Sequence, residues 1–284
     1  MKRTLSSLLG ICSAFCIFGG EQANFQPSRD GGWQPAVIEK NGVFTVPGKT
    51  VLRSVKKIKV DPTAKYQLSG KFKSTGTPGQ RLFFGFEGLN AKGIMISSPS
   101  VQLVPESETE LVEDLKKGSK TALVRDASKW KNLRLSLPVF GAKKDMSDLP
   151  NSNFGPGIAK IEKLARNWQI TFRTPVKRDY SAGEIIRQHY YGAGRIYTAA
   201  AGSKLNDSEW KTFSGTIEGI SPHGTPLKQW WKGTRSACIV ISSEPGSVEF
   251  KDIVLRRKDG KIEFCEAGSA FAPKKNAAKT SPAK

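Results

Sequence analysis

Short runs of alternating hydrophobic and polar residues fill most of the chain, with turn residues between them. Tyr66 to Lys73 alternates strictly, which is the pattern of a strand with one buried face. Ser236 to Ser242 is almost continuously apolar and predicts a strand at the centre of a sheet. Val248 to Leu255 predicts another strand, in which alternation places Asp252 on the same face as Phe250. Many short strands separated by turns predict a mainly β protein built as an antiparallel β-sandwich.

The pattern becomes less regular in the middle of the chain. Thr109 to Lys117 is compatible with a short helix or with a strand and a turn. The segment beyond it resembles a small β unit common in secreted and surface proteins, on Gly118, Val124, Asp126, Ala127, Ser128, Ile170, Phe172, Pro175, Val176, Ala182, Gly183 and Ile186. This resemblance implies no activity. It predicts a sandwich formed by residues 33–106 and 188–268, interrupted by an inserted small β subdomain at residues 107–187.

Both ends of the chain have their own composition. Lys2 and Arg3 precede an apolar stretch and then small residues, so residues 1–23 are predicted to be a signal peptide. We therefore expect an exported protein of the periplasm, the cell surface or the extracellular space. Residues 272–284 contain mainly Ala, Lys, Pro and Ser and predict a disordered basic tail. No other segment of the sequence is apolar over a length that would span a bilayer.

The charge of the chain favours anionic partners. Lys and Arg number 45 against 25 Asp and Glu, which gives a net charge of +20. Acidic polysaccharide, nucleic acid and anionic membranes all suit such a field. The lysines are spread along the chain, so most of them are expected to provide solubility only. Export and the lack of a module of interleaved basic and aromatic residues argue against nucleic acid. An acidic polysaccharide or a cell-surface polymer remains the expected charged partner.

Two cysteines, Cys238 and Cys265, remain after removal of the signal peptide. An even pair in an exported protein predicts one disulfide. The Asp-Gly turn at residues 259–260 would bring Cys265 back towards the strand of Cys238. Two buried free thiols are the alternative.

Three local patterns resemble jelly-roll carbohydrate-binding modules of the galactose-binding-like type. They are YQLSGKFK at residues 66–73, WKTFSGTI at 210–217 and VEFKDIVL at 248–255. The resemblance implies a non-catalytic protein that binds polysaccharide or a cell-surface glycan. Such modules often carry a structural calcium ion, for which Asp252 is the candidate ligand. Lys251 stands where the family's closing strand has another Asp, and no other cofactor is expected.

Sugar binding requires exposed aromatic rings and planar polar groups. Trp230 and Trp231 follow a loop-like segment and are the first candidates, and Tyr190 and Tyr191 are the second. Adjacent residues on a strand point to opposite faces, so at most one of each pair should join the core. Core packing is the alternative reading for either tryptophan alone. The other four tryptophans, Trp33, Trp130, Trp168 and Trp210, are expected in the core.

The stretch QHYYGAGRIYTAA at residues 188–200 also resembles the catalytic strand of jelly-roll polysaccharide lyases. That resemblance would make His189 the base, Arg195 the partner of the uronate carboxylate and Tyr197 the acid in a β-elimination. In those enzymes, however, the His and the Tyr lie on different strands that face one cleft, whereas here they are close in sequence. A structural protein of the cell envelope is a further alternative.

Other chemistries have no signature in the sequence. There is no Cys/His cluster with metal-ligand spacing, no Gly-x-Ser-x-Gly elbow and no glycine-rich phosphate loop. Carboxylates that a glycosidase would need are present, but the sequence does not pair them.

Overall fold

The computed structural model describes residues 32–77, 79–192, 197–205, 209–223, 228–259 and 262–265, with backbone alone at 197–204 and 262–265. The described residues are mainly β, with one single-turn helix, α1 (Ser98–Val101). The strands are β1 (Trp33–Gln34), β2 (Ile38–Lys40), β3 (Val43–Val46), β4 (Val51–Ser54), β5 (Ile58–Lys59), β6 (Tyr66–Ser74), β7 (Gln80–Leu89), β8 (Thr109–Glu110), β9 (Thr121–Val124), β10 (Ser136–Phe140), β11 (Ile158–Lys163), β12 (Trp168–Phe172), β13 (Ile185–Tyr190), β14 (Tyr197–Leu205), β15 (Lys211–Ile217), β16 (Ile220–Ser221), β17 (Trp230–Trp231), β18 (Ser236–Glu244), β19 (Val248–Arg257) and β20 (Ile262–Cys265).

Two large antiparallel sheets form the sandwich. The front sheet has the order β1-β4-β18-β7-β14, and β5 also pairs with β18. The back sheet has the order β15-β6-β19-β3-β2, and β20 also pairs with β19. Apolar side chains from both sheets meet in one core, where the ring of Phe72 on β6 lies 4.7 Å from that of Phe84 on β7. The predicted antiparallel sandwich is therefore confirmed, and β18 is central as expected, while the jelly-roll topology stays a prediction.

A β-bulge in β19 changes the faces predicted for this strand. The register with β6 shifts between Lys251 and Val254, and Asp252 has a positive φ of 57°. Ile253 consequently joins Phe250 in the core, which strict alternation did not predict. Opposite the bulge, a Cβ on Gly70 would lie 2.3 Å from Cδ1 of Ile253. Glycine at position 70 makes room for this side chain.

A second hydrophobic core lies in the middle of the chain. Its members fall between Leu111 and Ile186, and Phe140 stacks on Tyr180 with ring centroids 3.5 Å apart. Two three-stranded antiparallel sheets surround it, β10-β13-β8 and β11-β12-β9. Thr109 begins a strand, so the strand-and-turn reading of residues 109–117 applies. The predicted subdomain boundaries themselves stay a prediction.

The predicted disulfide is wrong at Cys238, which is a free and buried thiol. Cys238 lies on β18 of the front sheet and is not part of the core between the sheets, whereas Cys265 lies on β20 of the back sheet, paired with Val254. The two cysteines thus belong to opposite layers, and Cys238 faces away from the other one. The hairpin turn returns Cys265 to its own sheet rather than to β18.

The predicted signal peptide and basic tail lie outside the described residues. Within the described part of the chain, no helix has the length and apolarity needed to cross a membrane.

Candidate functional site

The aromatic stretch of the sequence is divided between two sheets. Residues up to Tyr190 belong to β13, which pairs with β10 so that His189 lies opposite Leu137. From Tyr197 the chain belongs to β14 in the front sheet, opposite Phe86. The end of β13 is thus a separate site, and it lies beside the segment that follows α1, with the backbone N–H of Tyr190 donating to the carbonyl of Gln102 at 3.1 Å.

A groove of about 450 Å³ opens at this end of β13. Tyr190 and Tyr191 contribute to its wall, and the side chain of Tyr191 is 54% exposed. Two exposed basic residues, Lys131 and Arg134, also line the groove, and its described lining includes no acid. The remaining lining residues are apolar: Leu103, Val104, Pro105, Leu133 and Leu135. The groove therefore combines aromatic rings, an apolar floor and positive charge.

Gln188 holds the basic loop of the groove in place. Its side-chain oxygen accepts from the backbone N–H of Lys131 at 2.7 Å, and its side-chain nitrogen donates to the Lys131 carbonyl at 2.6 Å. At the other end of the loop, Arg173 donates to the carbonyl of Arg134 at 3.0 Å. Gln188 is fully buried, so the loop is fixed by a side chain that a ligand cannot displace.

Gly192 allows a close approach between the chain and Gln102 just after β13. A Cβ at this position would lie 2.0 Å from the side-chain oxygen of Gln102, far inside van der Waals contact. Because Gln102 is fully buried, its side chain has little room to retreat. Glycine at 192 lets the chain leave β13 directly beside this glutamine, with Tyr191 turned to the surface.

His189 belongs to a buried polar network and not to the groove. Its Nε2 accepts from Nε of Arg187 at 3.0 Å, so Nδ1 carries the proton and donates to the Pro99 carbonyl at 2.7 Å. Arg187 is itself fully buried and pairs with Asp148 at 2.7 Å and Glu108 at 3.3 Å. Burial, followed by the charge of Arg187, lowers the pKa of His189 to about 4.

The lyase constellation is therefore not assembled at His189. Both ring nitrogens are engaged and the side chain is fully buried, so it cannot take a proton from a polymer at the surface. Tyr197 lies on the front sheet, and its side chain, like the whole of Arg195, is outside the described residues. His189 and Tyr197 therefore lie on strands of different sheets.

Trp230 and Trp231 are not an exposed stacking surface, because both side chains are fully buried in the sandwich core. Trp230 lies between the sheets, with ring centroids 5.7 Å from Tyr66 and 4.9 Å from Phe86. The chain after Trp231 contacts the middle segment, where Nζ of Lys232 donates to the Met146 carbonyl at 2.7 Å. Alternation along a strand exposes one of two neighbouring side chains only where one face of the strand meets solvent. Both faces of β17 are covered.

The other tryptophans divide differently from the prediction. Trp33 and Trp130 are buried as expected, and Trp168 is half-buried against the second core. Trp210, however, belongs to neither core and is half-buried on the outer side of the back sheet. Its ring is contacted by Nζ of Lys251, 4.2 Å from the centroid.

The predicted calcium ligand Asp252 has a lysine as its partner. Nζ of Lys71 lies 3.0 Å from its carboxylate, so the local charge does not suit a divalent cation. Among the described residues, no group of three or more His, Cys, Asp or Glu side chains could hold a metal ion. The residues around Asp252 thus do not fit the calcium site that the family resemblance implied.

Comparison with known proteins found no family, no curated protein and no solved structure that matches the chain.

Proposed function

We propose that the protein is an exported, non-catalytic carbohydrate-binding protein of the jelly-roll type, and that a glycan binds in the groove beside Tyr190 and Tyr191. The observation that carries the proposal is the pairing of these two rings with Lys131 and Arg134 around one cavity. A cavity of about 450 Å³ has the size of a small-ligand pocket. Tyrosine rings can stack on the C–H face of a sugar while their hydroxyls remain available for hydrogen bonds.

The three strand patterns that resemble carbohydrate-binding modules support the same proposal. They correspond to β6, β15 and β19, which are neighbours in the back sheet. The resemblance therefore concerns one continuous part of the sandwich and not scattered segments. The resemblance suggests a polysaccharide or a cell-surface glycan as the ligand. The basic residues of the groove, Lys131 and Arg134, favour a sugar that carries an acidic group.

The proposal is tested by screening the full chain on an array of neutral and acidic glycans and measuring affinity for the hits. Tyr191→Ala should weaken binding about tenfold, because it removes the most exposed ring of the groove. Leu164→Ala serves as the control: it also removes an exposed apolar side chain, 43% accessible, from the turn after β11. Its affinity should equal that of the wild type.

Two results would count against the proposal. Absence of binding to every glycan would exclude a carbohydrate-binding function, and self-association at the exposed pair of Tyr191 and Leu135 would then favour the structural envelope protein. Equal affinity of the wild type and Tyr191→Ala would place the ligand elsewhere on the molecule.

A further inference from the structure

The outer surface of the back sheet carries a second group of aromatic and charged side chains. Phe72 and Phe250 point into the core, so their neighbours Lys71, Lys73, Glu249 and Lys251 point outwards. Lys73 lies opposite Glu249, and Lys71 lies opposite Lys251. Trp210 immediately precedes β15, the strand next to β6 in the back sheet. We name Trp210, Lys71, Lys73, Glu249, Lys251 and Asp252 the basic face.

Trp210 organises the cations of this face. The ammonium groups of Lys251 and Lys73 lie 4.2 and 5.9 Å from the centroid of its ring, within the range of cation–π attraction. Lys73 also pairs with Glu249 at 3.2 Å and Lys71 with Asp252 at 3.0 Å. Within the described ranges, Lys251 has no carboxylate partner. Its charge is therefore held in position by an aromatic ring and is not neutralised by an acid.

We propose that the basic face binds a carboxylated polysaccharide, with the ammonium group of Lys251 pairing with a uronate carboxylate. Exposed hydroxyls of Thr212 and Ser214 on β15 adjoin the face and can bond to sugar hydroxyls. Glu249 and Asp252 can accept from sugar hydroxyls as well. The site is separate from the groove and does not depend on ligand binding there.

The acids of the face favour a polysaccharide over a nucleic acid. Double-stranded DNA carries a phosphate charge about every 1.7 Å along its axis. Its closely spaced phosphates would therefore repel the two carboxylates that lie among the three lysines of the face. A polysaccharide with one carboxylate per sugar or fewer can place its acidic groups at Lys251 and its hydroxyls at the acids. The mixture of charges thus matches a polymer that is rich in hydroxyls and moderately anionic.

The experiment uses polygalacturonate and its fully methyl-esterified form, measured by biolayer interferometry with the full chain in the Tyr191→Ala background. That background weakens binding in the groove, and the comparison with Lys251→Gln within it reports on the basic face, so failure here is distinguishable from failure of the proposed function. The unesterified polymer should bind and the ester should bind at least fivefold more weakly. Lys251→Gln should weaken binding to the acidic polymer about fivefold, as expected for the loss of one charged contact.

Lys160→Gln is the matched control, because it also removes one lysine charge from an exposed strand position, on β11. Its affinity should be unchanged. If Lys251→Gln and Lys160→Gln lost affinity equally, the effect would come from overall charge and the proposal would be overturned. Equal affinity for the ester and the unesterified polymer would also overturn it. A DNA duplex or phosphatidylserine vesicles that bind more tightly than polygalacturonate, with the same Lys251→Gln loss, would also overturn it. Trp210→Ala, checked for folding by circular dichroism, should reproduce the Lys251→Gln loss.

Discussion

His189 has a protonation state set by packing. Its two ring nitrogens are used by Arg187 and Pro99, and an added proton would have to displace the hydrogen bond that Arg187 donates to Nε2. The positive charge of the same arginine opposes protonation, after the larger effect of burial. The imidazole is therefore neutral in the folded protein over most of the physiological pH range.

We expect acidification to destabilise the fold through this one residue. The pKa of His189 is about 4 when folded and about 6.5 when unfolded, so the unfolded chain binds more protons between these values. The free energy of unfolding should fall by up to about 3 kcal/mol as the pH drops through this window, with no further loss from His189 below pH 4. Urea unfolding curves at a series of pH values measure it.

Two variants separate His189 from other sources of acid sensitivity. His189→Gln should lose the dependence between pH 6.5 and 4, whereas His223→Gln should retain it. Hydrogen bonds lower the pKa values of Asp61, Asp114 and Asp145, so the stability that these carboxylates contribute is lost only as the pH falls below the usual carboxyl range. A wild-type stability that is flat from pH 7 to 4.5 would contradict the assignment.

At the end of β13, residues that hold the local structure in place are direct neighbours of residues that line the groove. Gln188 fixes the loop, His189 holds the segment at Pro99, and the next two residues line the groove. Within four residues the chain thus changes from internal hydrogen bonding at Gln188 and His189 to lining of the groove at Tyr190 and Tyr191. The groove is a consequence of where this strand ends.

Replacing Gln188 by Leu should loosen the loop at residues 131–135. Both bonds to Lys131 are lost, which costs about 1 kcal/mol of stability because partly buried backbone groups lose their partners. Hydrogen–deuterium exchange of the peptide covering the loop should accelerate, and glycan affinity should fall. Gln169→Leu on β12 provides the control, since Gln169 is half-buried in a different sheet. If hydrogen–deuterium exchange at residues 131–135 were unchanged in Gln188→Leu, the two hydrogen bonds from Gln188 would not be what holds the loop.

The sequence predicts the regular strands well, because their alternation is a local property. β6 has the predicted burial pattern at every position, and β18 has the continuous apolar character of a central strand. The bulge in β19 escapes such reasoning, since it depends on Gly70 of the neighbouring strand leaving room for Ile253. Alternation across a bulge assigns later residues to the wrong face.

The candidate site could be predicted only in part. The concentration of rare residue types at 188–191 drew attention to the correct segment, and Tyr190 and Tyr191 do line a cavity. Lys131 and Arg134 were missed, because a long-range contact with Gln188 brings their loop to the tyrosines. The tryptophans show the same limit: Trp231 is covered by segments distant in sequence, while Trp210 remains at the surface.

Across the whole molecule, the Arg187 network joins parts of the chain that belong to different cores. Arg187 follows Ile186 of the second core, and His189 reaches Pro99 in α1, whose Val101 belongs to the sandwich core. Asp148 and Glu108 complete the network from two further segments. A fully buried arginine therefore stands where the two cores meet.

Arg187→Met should be strongly destabilising, by about 3–5 kcal/mol, because Asp148 and Glu108 lose the charge that compensates them. Arg125→Met is the comparison: Arg125 pairs with Glu110 at 2.7 Å but is largely exposed, and loss of a surface pair costs about 1 kcal/mol or less. Urea unfolding of both variants provides the measurement. Similar costs for the two variants would mean that the buried network contributes no more than a surface ion pair.

The unpaired thiol of Cys238 has a practical consequence. It lies on the central strand of the front sheet with 7% of its surface exposed, and burial, followed by the charge of Glu87, raises its pKa. A thiol reagent meets a shielded and protonated sulfur as long as β18 stays paired with β4 and β7. With Cys12, Cys16 and Cys265 replaced by Ser, the rate of labelling at Cys238 measures how often the sandwich opens.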